Sequence, residues 1–229
     1  MWKSILSSAA IACIAATSAS AQDVSGSVSF GIARNAQQSN NSKRIVAQVA
    51  FPMTDRLDLQ VDVGVGKYED TFSTAPYAAL HLGYAVSETF KVGAFLAGDD
   101  IRPGNYFYYG IEAAYDSGPL SADLFVSGID VIKSSASGLR YGVDLSYAIN
   151  ANYSVLAGAA GQSLKGDNRT YGYIGAAYTF DNGIRFAATA GKTDKGATIG
   201  GVQLTLPFGG GAAFTSRDTR SLFPAYEKP

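Results

Sequence analysis

The 229 residues are enough for one domain. Their composition is 47% hydrophobic and 16% charged, with 26 glycines, 14 tyrosines and only 7 prolines, which excludes collagen-like and disordered Pro/Gly-rich chains. The formal net charge is -1, from 18 Lys and Arg against 19 Asp and Glu, so the basic excess that a nucleic-acid partner draws on is missing and no such partner is expected.

The chain opens on MWKSILSSAAIACIAATSASA. A basic residue at Lys3, an apolar stretch from Ile5 and small residues at Ala19 and Ala21 in A-x-A order make a secretory signal peptide over 1–21, cut before Gln22. The apolar stretch is shorter than the ~20 residues of a spanning helix. Cys13 leaves with this segment, so the exported chain carries no thiol, disulfide or cysteine metal site.

Beyond the signal, period-two alternation recurs after nearly every turn motif, and no stretch holds a helical apolar period. In order the alternating segments are 24–32, 43–51, 57–66, 77–86, 90–98, 106–116, 120–129, 139–149, 153–161, 171–180, 184–191 and 197–208. The third sets Leu57, Leu59, Val61, Val63 and Val65 against Asp58, Gln60, Asp62, Gly64 and Gly66. The eighth sets Leu139, Tyr141, Val143, Leu145 and Tyr147 against Arg140, Gly142, Asp144, Ser146 and Ala148. Two such faces want different solvents.

The connections alternate as well. Links near Asp55, Glu88, Gly118, Ala151 and Asn182 are short and rich in turn formers, while NAQQSNNS, YEDTFSTAP, DDIRPGN, IKSSASG and SLKGDNR between them are longer. Short turns on one rim and loops on the other, with roughly 9–11 residues per crossing, describe a transmembrane β-barrel. Twelve segments predict an all-β, antiparallel up-and-down barrel over 22–208, the count holding within about two strands. Many aromatic residues, among them Tyr77, Tyr84, Phe90, Tyr115, Tyr147, Tyr153, Tyr171, Tyr173, Phe180 and Phe208, lie near segment ends, where they would form interfacial girdles.

With its signal peptide, tyrosine-bordered amphipathic strands and final segment ATIGGVQLTLPF, the chain resembles the small outer-membrane barrels and porin-like proteins of Gram-negative bacteria. The resemblance implies a cell outer-membrane location, contact with outer-membrane lipids and lipopolysaccharide, and handling by the outer-membrane assembly machinery, with a homo-oligomer among the possible states. Such proteins commonly end on a terminal Phe. This chain continues past Phe208 with GGGAAFTSRDTRSLFPAYEKP, so 209–229 is expected to be a periplasmic tail after a flexible Gly209-Gly210-Gly211 break, with a plug entering the lumen or a segment packing on a neighbour as the alternatives.

In a barrel the polar parity faces the lumen. The expected lumen-lining charges are Arg44, Asp58, Asp62, Lys91, Glu112, Asp123, Arg140, Asp144 and Arg185. Both signs are present, which suits passive passage of small hydrophilic solutes or ions with at most a mild cation preference. Families that capture acidic sugars through many inward arginines are poorly matched by three. The alternatives are a structural or adhesive barrel with a sealed bore and a lipid-modifying enzyme. For the last, His81 is the sole histidine and no G-x-S-x-G motif occurs, so no catalytic, cofactor or metal site is expected and the chain is read as no enzyme.

Overall fold

A computed structural model describes residues 24–37, 41–68, 74–101, 104–132 and 134–218, and in it the alternating segments form twelve antiparallel strands. These are β1 (Ser25–Asn35), β2 (Asn41–Pro52), β3 (Leu57–Tyr68), β4 (Ala75–Ala85), β5 (Phe90–Ile101) and β6 (Gly104–Ser117). The second half comprises β7 (Leu120–Ile132), β8 (Ser137–Ala148), β9 (Tyr153–Leu164), β10 (Asp167–Thr179), β11 (Arg185–Thr193) and β12 (Thr198–Phe208). The expected signal segment 1–21 and the stretch 219–229 lie outside the described residues.

Each strand pairs with its neighbours in sequence, and β12 returns to β1 in a register running from Gly26 opposite Phe208 to Asn35 opposite Ile199. This closure removes the last sheet edge, which the interior of a bilayer could not solvate. The outward parity is apolar all the way round, with exposed Phe30 and Ile32 on β1, Leu80 and Leu82 on β4, Ile111 on β6, Leu124 on β7 and Ile174 on β10. A continuous belt of this kind is a lipid-facing surface. Tyr84, Phe90, Tyr115, Tyr147, Tyr153, Phe180 and Phe208 are exposed beside the short-turn rim and form the expected girdle there.

Two expectations change. Tyr77, Tyr171 and Tyr173, placed in a girdle by their position near strand ends, point inward, Tyr77 and Tyr171 buried and Tyr173 half-buried beside Tyr171. There they pack with Tyr108, Ile129 and Ile199 in the half of the bore nearer the other rim. Proximity to a strand end does not decide the face; parity does, since successive side chains point to opposite sides. The links expected to be long are also shorter than read. SLKGDNR contracts to a tight reversal between Leu164 and Asp167, with Lys165 at φ 48° and Gly166 at φ 82°, the left-handed pair of a type I′ hairpin. The ladder continues past the apolar belt through polar residues, whose alternation leaves no hydrophobic period to detect.

On the short-turn rim, Thr54 Oγ1 accepts hydrogen bonds from the backbone N–H groups of Arg56 and Leu57 at 3.3 and 3.0 Å. Asn150 Oδ1 does the same for Asn152 and Tyr153, each at 2.9 Å. These side chains replace partners that the ladder no longer supplies. Ile111 lies mid-strand on the lipid face, so Ile111→Arg is expected to destabilise the bilayer-embedded barrel by about 2–4 kcal/mol, read from denaturant unfolding in vesicles. Replacing the lumen-facing Ser121 by Arg should cost much less in the same assay.

Candidate functional site

A twelve-strand ring is wider than the eight-strand barrels that side chains alone can fill. Here the chain itself supplies the filling. After Phe208 three consecutive glycines take left-handed φ values of 58°, 106° and 89°, and a Cβ on Gly209 would fall 2.2 Å from the Val24 carbonyl oxygen. Only glycine accommodates such a reversal. The sequence reading of a flexible break leading to a periplasmic tail is therefore corrected for the described residues: the triplet is a defined turn, and 212–218 run back inside the barrel. The position of 219–229 lies outside the described residues.

The ascending tail is held at each step. Phe214 is buried against Gly83 and Gly93, where added Cβ atoms would come within 3.0 and 2.8 Å of its ring. Its ring stacks on His81 at 6.0 Å, and His81 stacks in turn on Phe95 at 5.7 Å. Gln60 Oε1 accepts from the N–H groups of Ala213 and Phe214 at 3.0 Å each. The Phe214 carbonyl accepts from Gln60 and Gln48 at 3.0 and 2.9 Å. The two glutamines thus give the tail the backbone partners a neighbouring strand would give, as a buried amide requires.

Arg217 is fully buried. Its Nε and Nη2 donate to Glu112 Oε2 at 2.9 and 2.7 Å, Nη2 also to Asp123 Oδ1 at 2.6 Å, and Nη1 to Thr215 Oγ1 at 2.8 Å. The guanidinium carbon lies 4.6 Å from the Phe125 ring centre. Paired carboxylates and an aromatic face are what a desolvated guanidinium needs. Glu112 Oε1 faces His81 Nδ1 at 2.7 Å, and His81 Nε2 faces Asp62 Oδ2 at 3.4 Å. Both ring nitrogens thus meet carboxylates, an arrangement that suits an imidazolium. Asp218 receives Arg44 Nη1 at 3.0 Å, and Arg140 Nη2 donates to the Arg217 carbonyl at 2.9 Å while lying over the Tyr108 ring.

The nine charges singled out from sequence fall into three groups. Arg44, Asp62, Glu112, Asp123 and Arg140 converge on the tail and its neighbours. Asp58 and Lys91 pair with each other apart from them. Asp144, which accepts from Tyr173 Oη at 2.6 Å, and Arg185, which donates to Ser146 Oγ at 3.2 Å, line the opposite wall. Arg217, Asp218 and Phe214 escape sequence reading because no strand pattern includes them. The one available sign is a charged SRD motif just past an aromatic, in a tail the barrel does not require.

Between the tail and that opposite wall runs a cavity of about 520 Å³. Its lining extends along most of β1, from Ser27 through Ser29 and Gly31 to Ala33, and along β12 from Gly201 to Pro207. Arg44, Asp144, Arg185, Gln203 and Thr205 give it polar walls, and the tail residues from Gly211 to Ser216 form its inner side.

No protein-family model matches the chain, and no curated protein matches its sequence. Solved structures do match in fold. The NanC porin superposes with a TM-score of 0.63 at 9% identity, covering 78% of this chain and 97% of that one. The KdgM porin, solved in complex with disordered oligogalacturonate, gives 0.61 at 11% identity over 80% and 99%. An outer-membrane channel from Pseudomonas putida F1 gives 0.53 at 16% identity over 82% and 96%. The chain is a closed twelve-strand barrel resembling known outer-membrane porins.

Because a Cβ on Gly93 would lie 2.8 Å from the Phe214 ring, Gly93→Val should dislodge the tail. A Ser216→Cys probe, buried in the native arrangement, is expected to react slowly with a maleimide in the otherwise native chain and about tenfold or more faster beside Gly93→Val. Equal rates would show that Phe214 does not anchor the tail.

Proposed function

We propose that this protein is an outer-membrane, porin-like channel for passive diffusion of small hydrophilic solutes, with the returning tail confining passage to one side of the bore. The observation that carries this reading is the polar cavity beside the tail, whose lining follows β1 and β12 over most of their length. A barrel meant only as an anchor needs no such lane.

Charge pairing supports weak selectivity. Glu112 and Asp123 share Arg217, Arg44 meets Asp218, and Asp58 meets Lys91, which leaves Asp116, Asp144 and Arg185 as the other charges lining the lane. A path so balanced discriminates little between cations and anions. The KdgM porin was solved with an acidic oligosaccharide, but of the inward arginines here Arg44 is paired with Asp218, Arg217 with Glu112 and Asp123, and Arg140 donates Nη2 to the tail, so capture of a polyanion is not the reading favoured.

One observation favours a sealed structural barrel instead: Tyr77, Tyr108, Ile129 and Ile199 are fully buried in the half of the bore away from the short turns. Planar-bilayer recording of the refolded protein separates the two. The channel reading expects stepwise conductance that Ser29→Trp, midway along the lane, lowers without affecting folding, and silence from well-folded protein would sink it. Arg185→Gln is expected to shift reversal potentials toward cation preference, since it removes a cation from the lining of the lane and leaves Asp116 and Asp144 there.

A further inference from the structure

Arg217 is gripped through every polar group an arginine residue has. Its backbone N–H donates to Tyr77 Oη at 3.0 Å, its carbonyl accepts from Arg140 Nη2 at 2.9 Å, and its guanidinium is shared between Glu112 and Asp123. Four strands, β4, β6, β7 and β8, contribute these partners, with Phe125 covering the guanidinium face. His81 holds the other oxygen of Glu112 and so leaves Oε2 for the guanidinium. Such a set exceeds what is needed to neutralise two acids.

The occupant does not use everything the site offers. Arg140 is wholly buried, yet its Nε and Nη1 have no hydrogen-bond partner among the described residues. An amide carbonyl presents one oxygen to this guanidinium. A free α-carboxylate presents two, in the planar arrangement that an arginine fork matches, and it also supplies the negative charge that Arg140 lacks as a partner.

We propose that this cluster is a binding site for a guanidino amino acid with a free α-carboxylate, L-arginine being the simplest, and that Arg217 is its built-in occupant. The ligand's guanidinium takes the place between Glu112 and Asp123, its carboxylate meets the unpartnered side of Arg140, and its α-ammonium donates to Tyr77 Oη where the Arg217 N–H does now. Access is through the polar lane, which Asp123, Thr215 and Ser216 border, so the inference rests on that lane being reached by solvent. The tethered occupant competes at an effective concentration on the order of millimolar, so native protein binds the free ligand weakly and a chain whose tail has lost its anchors binds it well.

The test uses the full chain carrying Phe214→Gly and Arg217→Gly together, which removes both anchors and keeps the walls. Its thermal unfolding in detergent is followed against L-arginine, with D-arginine and agmatine as probes of equal guanidinium chemistry. The expected result is a saturable rise in unfolding temperature with L-arginine, about tenfold or more weaker apparent affinity for the other two, and loss of the response on adding Glu112→Gln. Equal responses to all three compounds, or none, overturn the site. If the double variant fails to fold, the Ser216→Cys probe in the otherwise native chain serves: L-arginine must accelerate its labelling more than D-arginine does, and equal rates overturn the proposal. Binding with silent bilayers would keep this site and reject the channel, while conductance without selective binding would do the reverse.

Discussion

At membrane depth every backbone N–H and C=O must find its partner within the protein, and the pairing of β12 with β1 is what meets that demand. Once the ring is closed, little of the sheet is free to vary: parity assigns each side chain to lipid or lumen, and the short turns fix both chain ends on one rim. Closure at twelve strands also sets a bore too wide for inward side chains to fill from the wall. The tail exploits that space. Its reversal at Gly209, Gly210 and Gly211 begins where β12 ends, so the same strand that closes the sheet also aims the remaining chain into the lumen.

Charges inside such a bore are tolerated only in matched sets. Removing Arg217 from the structure would deprive Glu112 and Asp123 of the guanidinium they share, and removing Asp218 would take a carboxylate partner from Arg44. A buried pair is weak evidence of net stability, because desolvation offsets attraction, but one broken by loss of a partner is costly. The charges on the wall and on the tail are therefore best understood together: each is expensive alone, and their combination specifies where the tail lies. Packing adds to this, since Phe214 occupies a place that two wall glycines leave open.

Much of the barrel was legible in the chain. Alternation such as that of Leu139 to Tyr147 against Arg140 to Ser146 carries its own face assignment, because a strand has period two whatever its neighbours do. The same logic applied strictly turns Tyr77, Tyr171 and Tyr173 inward; position near a strand end outweighed parity for them, and wrongly. Loop lengths were overread for a related reason. Polar residues such as Asp167 and Asn168 extend the ladder without any hydrophobic contrast, so the hairpin at Lys165 and Gly166 looks from sequence like a loop.

The functional cluster was only half visible. Inward parity identifies Asp62, Glu112, Asp123 and Arg140 individually, since each sits opposite an apolar face on its own strand. Which of them meet is a matter of register between strands far apart in sequence and of a tail with no periodicity, and local pattern contains neither quantity. Sequence alone determined the class of fold and the direction of each wall residue, because both follow from period-two alternation and turn chemistry. Tertiary structure alone decided that the tail enters the bore, that Arg217 bridges Glu112 and Asp123, and that a polar lane remains beside it, because these depend on the diameter of the closed ring and on long-range electrostatic matching within it.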